Sequence, residues 1–216
     1  MQAFYVDSVD STNDLARSML SEGRIRDAAF IVAREQTAGR GTRGRTWTSP
    51  RDAGIYLTVI DRPAIRAGEE LRDFTRAAGI ACAEVLTERT SVPVRLKPVN
   101  DLTVDERKLG GILTEAVIEQ HRLCALITGV GINVARFDRA IPKDLVQPIC
   151  LEEAMSPFDF SSLDVRALTL ALVERTRHWN AIVAEPVLDL LEEQWRQYCI
   201  DAPAAAHAGQ PRSHAH

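Results

Sequence analysis

TAGRGTRGRTWTSPR, residues 37–51, puts four arginines and three glycines in one run with no acidic residue. The chain as a whole is acidic, with 30 Asp and Glu against 26 Lys and Arg, so the run stands out locally. Glycine permits φ > 0 and close backbone approach to a ligand. Guanidinium groups supply planar, permanently charged donors suited to phosphate and carboxylate oxygens. Taken alone, the run reads equally well as an anion cradle or as a mobile, solvated basic loop. Other segments decide between the two.

Working outward, a compact apolar strand at residues 29–33 leads straight into the run. Before it, residues 4–9 read as a short strand, and Asp10-Ser11-Thr12-Asn13 offers N-caps for a helix to about Leu20, ended near Gly23. After the run, residues 54–60 (GIYLTVI) have strong β composition. Helical spacing of Leu71, Phe74, Ala77, Ala78, Ala81 and Val85 predicts a helix over residues 69–88. Strands are predicted at residues 94–98, 109–119 and 123–129, the last two joined by the polar turn Gln120-His121-Arg122. Residues 137–160 read as irregular, and helices at about 164–183 and 187–198 follow. This order predicts an α+β domain spanning residues 1–202: a mixed, largely antiparallel sheet with helices on one face. Residues 203–216, small and polar, predict a disordered tail whose His207, His214 and His216 are read as solvated rather than metal-binding.

A chain of 216 residues with 45% hydrophobic and 26% charged residues suits one soluble domain with a real core. The net charge of −4 argues against wholesale coating of nucleic acid. The four cysteines contain no CxxC pair and read as buried thiols in a reducing compartment. MQAFYVDSVD has neither a basic nor an apolar leader region, and no apolar run reaches the length of a membrane span. The expectation is a cytoplasmic protein without membrane contact.

Three further segments carry chemistry. In Lys97-Pro98-Val99-Asn100-Asp101, at a strand end, Asp101 and Asn100 offer oxygens to a divalent metal and Lys97 a point charge to phosphate. A turn in which Asn100 and Asp101 bond their own backbone is the simpler reading of that segment alone. Lys108-Leu109-Gly110-Gly111-Ile112-Leu113 sets a cation beside glycines that let backbone approach a ligand; a hairpin lysine with a bulge glycine fits as well. Gly129-Val130-Gly131-Ile132-Asn133 ends a strand, and with no third glycine opening a helix it disfavours a dinucleotide-binding fold.

Together, Ser11-Thr12-Asn13, GRGTRGRTWTSP, KPVND with KLGGIL, and GVGIN resemble, in order and spacing, the catalytic domain of biotin–protein ligases. That family carries a GRGRRGRxWxSP-type loop, a KWPND-type strand end, a K-x-x-GIL strand and a G-x-GIN turn. The match runs over residues 4–134, and Glu193-Gln194-Trp195-Arg196 looks like the family's last catalytic-domain helix. The related lipoate ligases carry an arginine-arginine-x-serine-glycine-glycine-glycine segment that is absent here, which favours biotin. The resemblance implies activation of biotin with ATP and magnesium, then transfer from biotinyl-AMP to a lysine of a biotin carboxyl carrier domain of a carboxylase.

Carried over by position, Ser11, Thr12, Asn13 and Gln36 would face biotin, with Gly111, Ile112 and Leu113 lining its pocket. Gly39, Arg40 and Gly41 would contact biotin and the adenylate, while Arg43 and Arg45 support the phosphates. Lys97, Asn100 and Asn133 would address the nucleotide, Asp101 the metal, and Lys108 the reacting carboxylate and α-phosphate. Arg40, Lys97 and Lys108 are the catalytic expectations. Trp47 is read either as an aromatic beside the adenylate or as core packing.

Three departures stand out. Thr42 replaces the loop's usual second arginine, which implies weaker retention of biotinyl-AMP. The KPVND segment lacks the family's tryptophan. No helix-turn-helix precedes Phe4 and little chain follows Trp195, so neither DNA binding nor the family's small C-terminal domain is expected. The resemblance allows a homodimer. A biotin- or biotinyl-AMP-binding protein with weak or lost ligation is the alternative; Lys97, Asp101 and Lys108 favour the enzyme.

Overall fold

A computed structural model describes residues 1–63, 71–98, 100–120, 122–137, 148–184 and 188–200. The expected tail at 203–216 and the start of the helix expected from Glu69 lie outside the described residues. The sheet contains β1 (Gln2–Val6), β2 (Ala29–Ala33), β3 (Gly54–Asp61), β4 (Arg95–Lys97), β5 (Asp101–Val104), β6 (Arg107–Glu119) and β7 (Arg122–Asn133). These seven strands lie in the order β1-β2-β3-β7-β6-β5-β4. Only β1 and β2 run parallel; every other neighbouring pair is antiparallel. The described helices are α1 (Thr12–Ser21), α2 (Leu71–Thr90), α3 (Leu151–Ala154), α4 (Pro157–Ser161), α5 (Val165–Val183) and α6 (Leu188–Tyr198). The expected α+β class, with its mixed and largely antiparallel sheet, is what the chain builds.

Strand alternation sends neighbouring side chains to opposite faces, and both faces are covered. Phe30 and Val59 join the larger core beneath α2, α5 and α6, while Ile31 and Ile60 join a smaller cluster with Ala16 and Met19 of α1. The helices α2, α5 and α6 share one face and α1 takes the other, so the expectation of helices on one face alone is corrected: the apolar side chains of both sheet faces need cover. On the larger side Arg76 of α2 is buried, pairs with Glu192 of α6 at 2.6 Å and stacks 4.7 Å from the Trp195 ring centroid. This contact staples the last helix to the domain. All four cysteines are free; Cys82 is wholly buried, and loss of hydration pushes its thiol up to about 12.

The sequence reading missed β5 and the short helices α3 and α4, and it stopped β7 early. Residues 101–104, taken as the start of a polar loop, form β5, which turns back into β6 through Asp105 and Glu106 at φ 48° and 63°. Such turns are usually marked by Asn-Gly, and Asp-Glu carries no such signal. The strand expected at 123–129 runs on, so that residues 129–133 form the end of β7 itself, with 129–132 paired on both sides. Within the stretch read as irregular, α3 and α4 are single short turns of helix, the second capped by Ser156; residues 138–147 lie outside the described set.

The left-handed conformation costs a non-glycine residue about 1–2 kcal/mol. Glu106→Gly is therefore expected to raise stability by about 0.5–1 kcal/mol, after allowing for glycine's greater freedom in the unfolded chain. Equilibrium urea unfolding measures it, and an unchanged midpoint would mean that the turn is unstrained.

Candidate functional site

The arginine run is an ordered hairpin. Arg40 bridges Thr46, Trp47 N–H donates to Gly39 O at 2.8 Å, and Gly41 N–H donates to Arg45 O at 2.7 Å. The tip turns through Arg43 and Gly44 at φ 58° and 72°. Of the three glycines only Gly44 uses positive φ. Gly39 is required for space, since a Cβ there would collide with the Trp47 carbonyl oxygen. Backbone bonding thus replaces the picture of a mobile loop.

The hairpin bounds a cavity of about 360 Å³, within the usual range for a small-molecule site. Ser11, Thr12 and Asn13 reach it from the start of α1, and Gln36 from the chain after β2. Arg40, Gly41, Arg43, Arg45 and Trp47 contribute from the hairpin; Asn100, Asp101, Lys108, Gly111, Ile112 and Leu113 come from the β4–β5 turn, β5 and β6. Four separated segments of sequence therefore meet at one place. Thr42, Thr75, Pro98, Thr114, Gly129, Val130 and Gly131 also line it and had been assigned no contact.

Three expected residues are elsewhere. Gly39 lies under Trp47 rather than on the cavity wall. Asn133 is buried, and its Nδ2 donates to the carbonyls of Lys108 and Ile149 at 3.3 and 3.0 Å. It fixes the start of β6. Lys97 ends β4 with its side chain exposed, outside the lining.

Beneath the cavity runs a buried polar network. Gln36 Oε1 accepts from Thr12 N and Thr12 Oγ1 at 2.8 and 3.1 Å, and its Nε2 donates to Ser49 Oγ at 2.8 Å. The Thr58 hydroxyl lies 2.8 Å from Thr12 Oγ1 and 2.7 Å from Asn13 Oδ1. Asn13 Nδ2 donates to Leu113 O at 3.2 Å and to Glu115 Oε2 at 2.8 Å. Gly129 and Gly131 make room for this packing: Asn13 rests on the first and the Trp47 indole on the second. No single segment advertises this network. The alternation of Thr58 with apolar neighbours in β3 was the available signal.

The charges sort into two groups. Lys108 Nζ lies 2.6 Å from Asp101 Oδ1 and 5.5 Å from the Trp47 ring centroid. Arg40 contacts Asp14 at 2.7 Å and Glu115 at 2.8 Å. Burial pushes the Glu115 carboxyl up, but hydrogen bonds from Arg40 and Asn13 and the charges of Arg40 and Arg17 outweigh it and leave the group below the usual glutamate value. Glu115 raises Arg40 in turn. Arg43 and Arg45 project exposed from the tip. Asp101 is the carboxylate on the cavity wall, and the described residues contain no cluster of three metal-ligating side chains. A hard cation held largely by substrate phosphates needs only one or two protein carboxylates, so Asp101, with the Asn100 amide oxygen beside it, fits such an ion. No described helix is long and apolar enough to cross a membrane.

A profile of the biotin/lipoate A/B protein ligase family matches residues 5–133. The bifunctional ligase/repressor BirA of Salmonella typhimurium is 37% identical over 74% of this chain and 49% of its own length. The chain thus spans about half the length of the first such relatives. A biotin–[acetyl-CoA-carboxylase] ligase of Paracoccus denitrificans is 28% identical over 95% of this chain and 85% of its own. Among solved structures, the biotin protein ligase of Aquifex aeolicus in complex with biotin and ATP superposes with a TM-score of 0.73 at 26% identity, covering 92% of this chain and 78% of that one.

The contact between Asn13 and Gly129 gives a test of the network. A methyl group on residue 129 would lie 2.6 Å from Asn13 Oδ1. Asn13 is pinned by its bonds and cannot yield cheaply, so Gly129→Ala is expected to cost about 1–3 kcal/mol. Adding Asn13→Ala should make the second change nearly free. Denaturant titration of the single and double variants measures this, and a stable single variant would show that the amide can swing aside.

Proposed function

The chain belongs to the biotin/lipoate A/B protein ligase family, and we propose that it is an ATP-dependent biotin–protein ligase. It forms biotinyl-AMP and passes biotin to a lysine of a biotin carboxyl carrier domain of a carboxylase. The observation that carries this reading is the convergence on one cavity of the α1 start, the arginine hairpin, Asp101 and Lys108. The matching of biotin ligases among its relatives supports biotin rather than lipoate as the acid.

In the first step a biotin carboxylate oxygen attacks the α-phosphorus of ATP, the α–β phosphoanhydride bond breaks, and pyrophosphate leaves. Two anions must approach each other, and fixed cations lower that barrier more than mobile solvent does. Lys108 sits on the cavity wall to take this role, while Arg43 and Arg45 offer the hairpin's exposed charges to the phosphates. Ser11, Thr12 and Gln36 present hydroxyl and amide groups to the neutral ring system. Lys97 and Asn133, away from the cavity, are assigned the flank of the nucleotide and the seating of Lys108 respectively. In the second step the carrier's lysine amine attacks the acyl carbon; the amide forms, AMP leaves, and the amine gives up a proton. Magnesium, when bound at Asp101, would screen the triphosphate charge.

Lys108→Ala is expected to lower biotin-dependent pyrophosphate release about 10²–10³-fold with unchanged circular dichroism. Release near the native rate would return Lys108 to an ordinary partner of Asp101. Biotin compared with lipoate in the same assay tests the choice of acid.

Thr42 lines the cavity but cannot supply a long, forked, charged side chain to close over the adenylate. Thr42→Arg is therefore expected to slow the dissociation of preformed biotinyl-AMP and to reduce stray labelling of a non-carrier protein. Equal dissociation from both forms would assign closure to another residue, Arg43 or Arg45 first.

A further inference from the structure

The Arg40 guanidinium is gripped by two carboxylates. Its Nη1 and Nη2 donate to Glu115 Oε1 and Oε2 at 3.2 and 2.8 Å, a two-bond fork, and its Nε donates to Asp14 Oδ2 at 3.0 Å. The two carboxylates are not equivalent. Asp14 is half exposed on α1, whereas the Glu115 side chain is 19% exposed on β6, in the middle of the sheet's longest strand. Glu115 is itself fixed by Asn13 Nδ2 at 2.8 Å and Arg17 Nη2 at 3.2 Å. It does not line the cavity; Arg40 does.

We propose that Glu115 is a positioning residue for adenylation, holding the Arg40 guanidinium at the cavity wall through the two-oxygen fork. The proposal rests on the ligase reading. An arginine free in solvent loses side-chain entropy when it meets an anion, and the fork removes most of that loss in advance. The cluster of Arg17, Arg40, Asp14 and Glu115 is also neutral overall, so Arg40 is held without binding anions indiscriminately. A carboxylate is needed, because a glutamine keeps one acceptor and turns an amide N–H against the guanidinium.

The test is steady-state pyrophosphate release with biotin, ATP and magnesium. Glu115→Gln is expected to lower kcat about 10–100-fold, in line with the loss of orientation at a reacting centre. KM for ATP should change less than about twofold, since Arg43 and Arg45 are untouched. Arg40→Ala should lower kcat at least as far, and the double variant should be no worse than Arg40→Ala alone, because residues acting as a unit are non-additive. Losses that multiply, or a Glu115→Gln effect confined to melting temperature, would overturn the proposal. If Glu115→Gln does not fold, Arg40→Lys replaces it. Lysine keeps the charge but cannot take the fork, and a kcat within twofold of native would again overturn it. Native protein that releases no pyrophosphate removes the ligase reading and this proposal together; active native protein with independent losses removes this proposal alone.

Discussion

The amide of Asn13 is 3% exposed and bonds inward on both of its ends. Its oxygen meets Thr58 on β3, and its nitrogen meets the Leu113 carbonyl and the Glu115 carboxylate on β6. A buried amide group left without a partner costs about 1–3 kcal/mol, more than a made bond contributes net. The constraint is therefore strict: α1, β3 and β6 must keep their relative places for these bonds to form. Gln36 extends it through Thr12 to Ser49 at the exit of the arginine hairpin. The cavity wall is assembled on this framework, which explains why a surface loop with so many charges has a defined shape.

Electrostatics on that wall is arranged in pairs. Lys108 and Arg40, the cations nearest the strands, face carboxylates, while Arg43 and Arg45 lie at the exposed tip. Paired charges are held in place and partly neutralised; solvated ones are mobile and screened over about 10 Å at ordinary salt. The first kind suits a reacting centre that must not rearrange. The second suits capture of a polyanion arriving from solvent.

Much of this was legible in the sequence. Residues 29–33 form the expected strand without adjustment, α1 starts after Ser11, whose side chain makes no capping bond, and α5 starts behind Asp164, which accepts from Ala167 N–H. These elements announce themselves through apolar composition and period, which are local. The four segments that meet at the cavity were legible as a set only through their resemblance, in order and spacing, to the motifs of biotin–protein ligases. What was not legible depends on contacts distant in sequence. Glu115 reads as a polar residue in a strand until Arg40, 75 residues away, is seen against it. Gly131 reads as a strand end until Trp47 is seen lying on it. The β5–β6 turn was missed because its left-handed residues are Asp and Glu.

The parallel pairing of β1 with β2 has a consequence for where the cavity can be. Two adjacent parallel strands joined by a helix form a crossover, and crossovers of L-residues are right-handed in about 98% of cases. Once β1 and β2 are side by side, that stereochemical rule selects one side of the sheet for α1. Ser11, Thr12 and Asn13 travel with it, so chirality fixes the side from which α1 contributes to the cavity wall. The opposite side is left to α2, α5 and α6, of which α2 still reaches the cavity lining through Thr75. A mirror-image chain would make the same choice reversed.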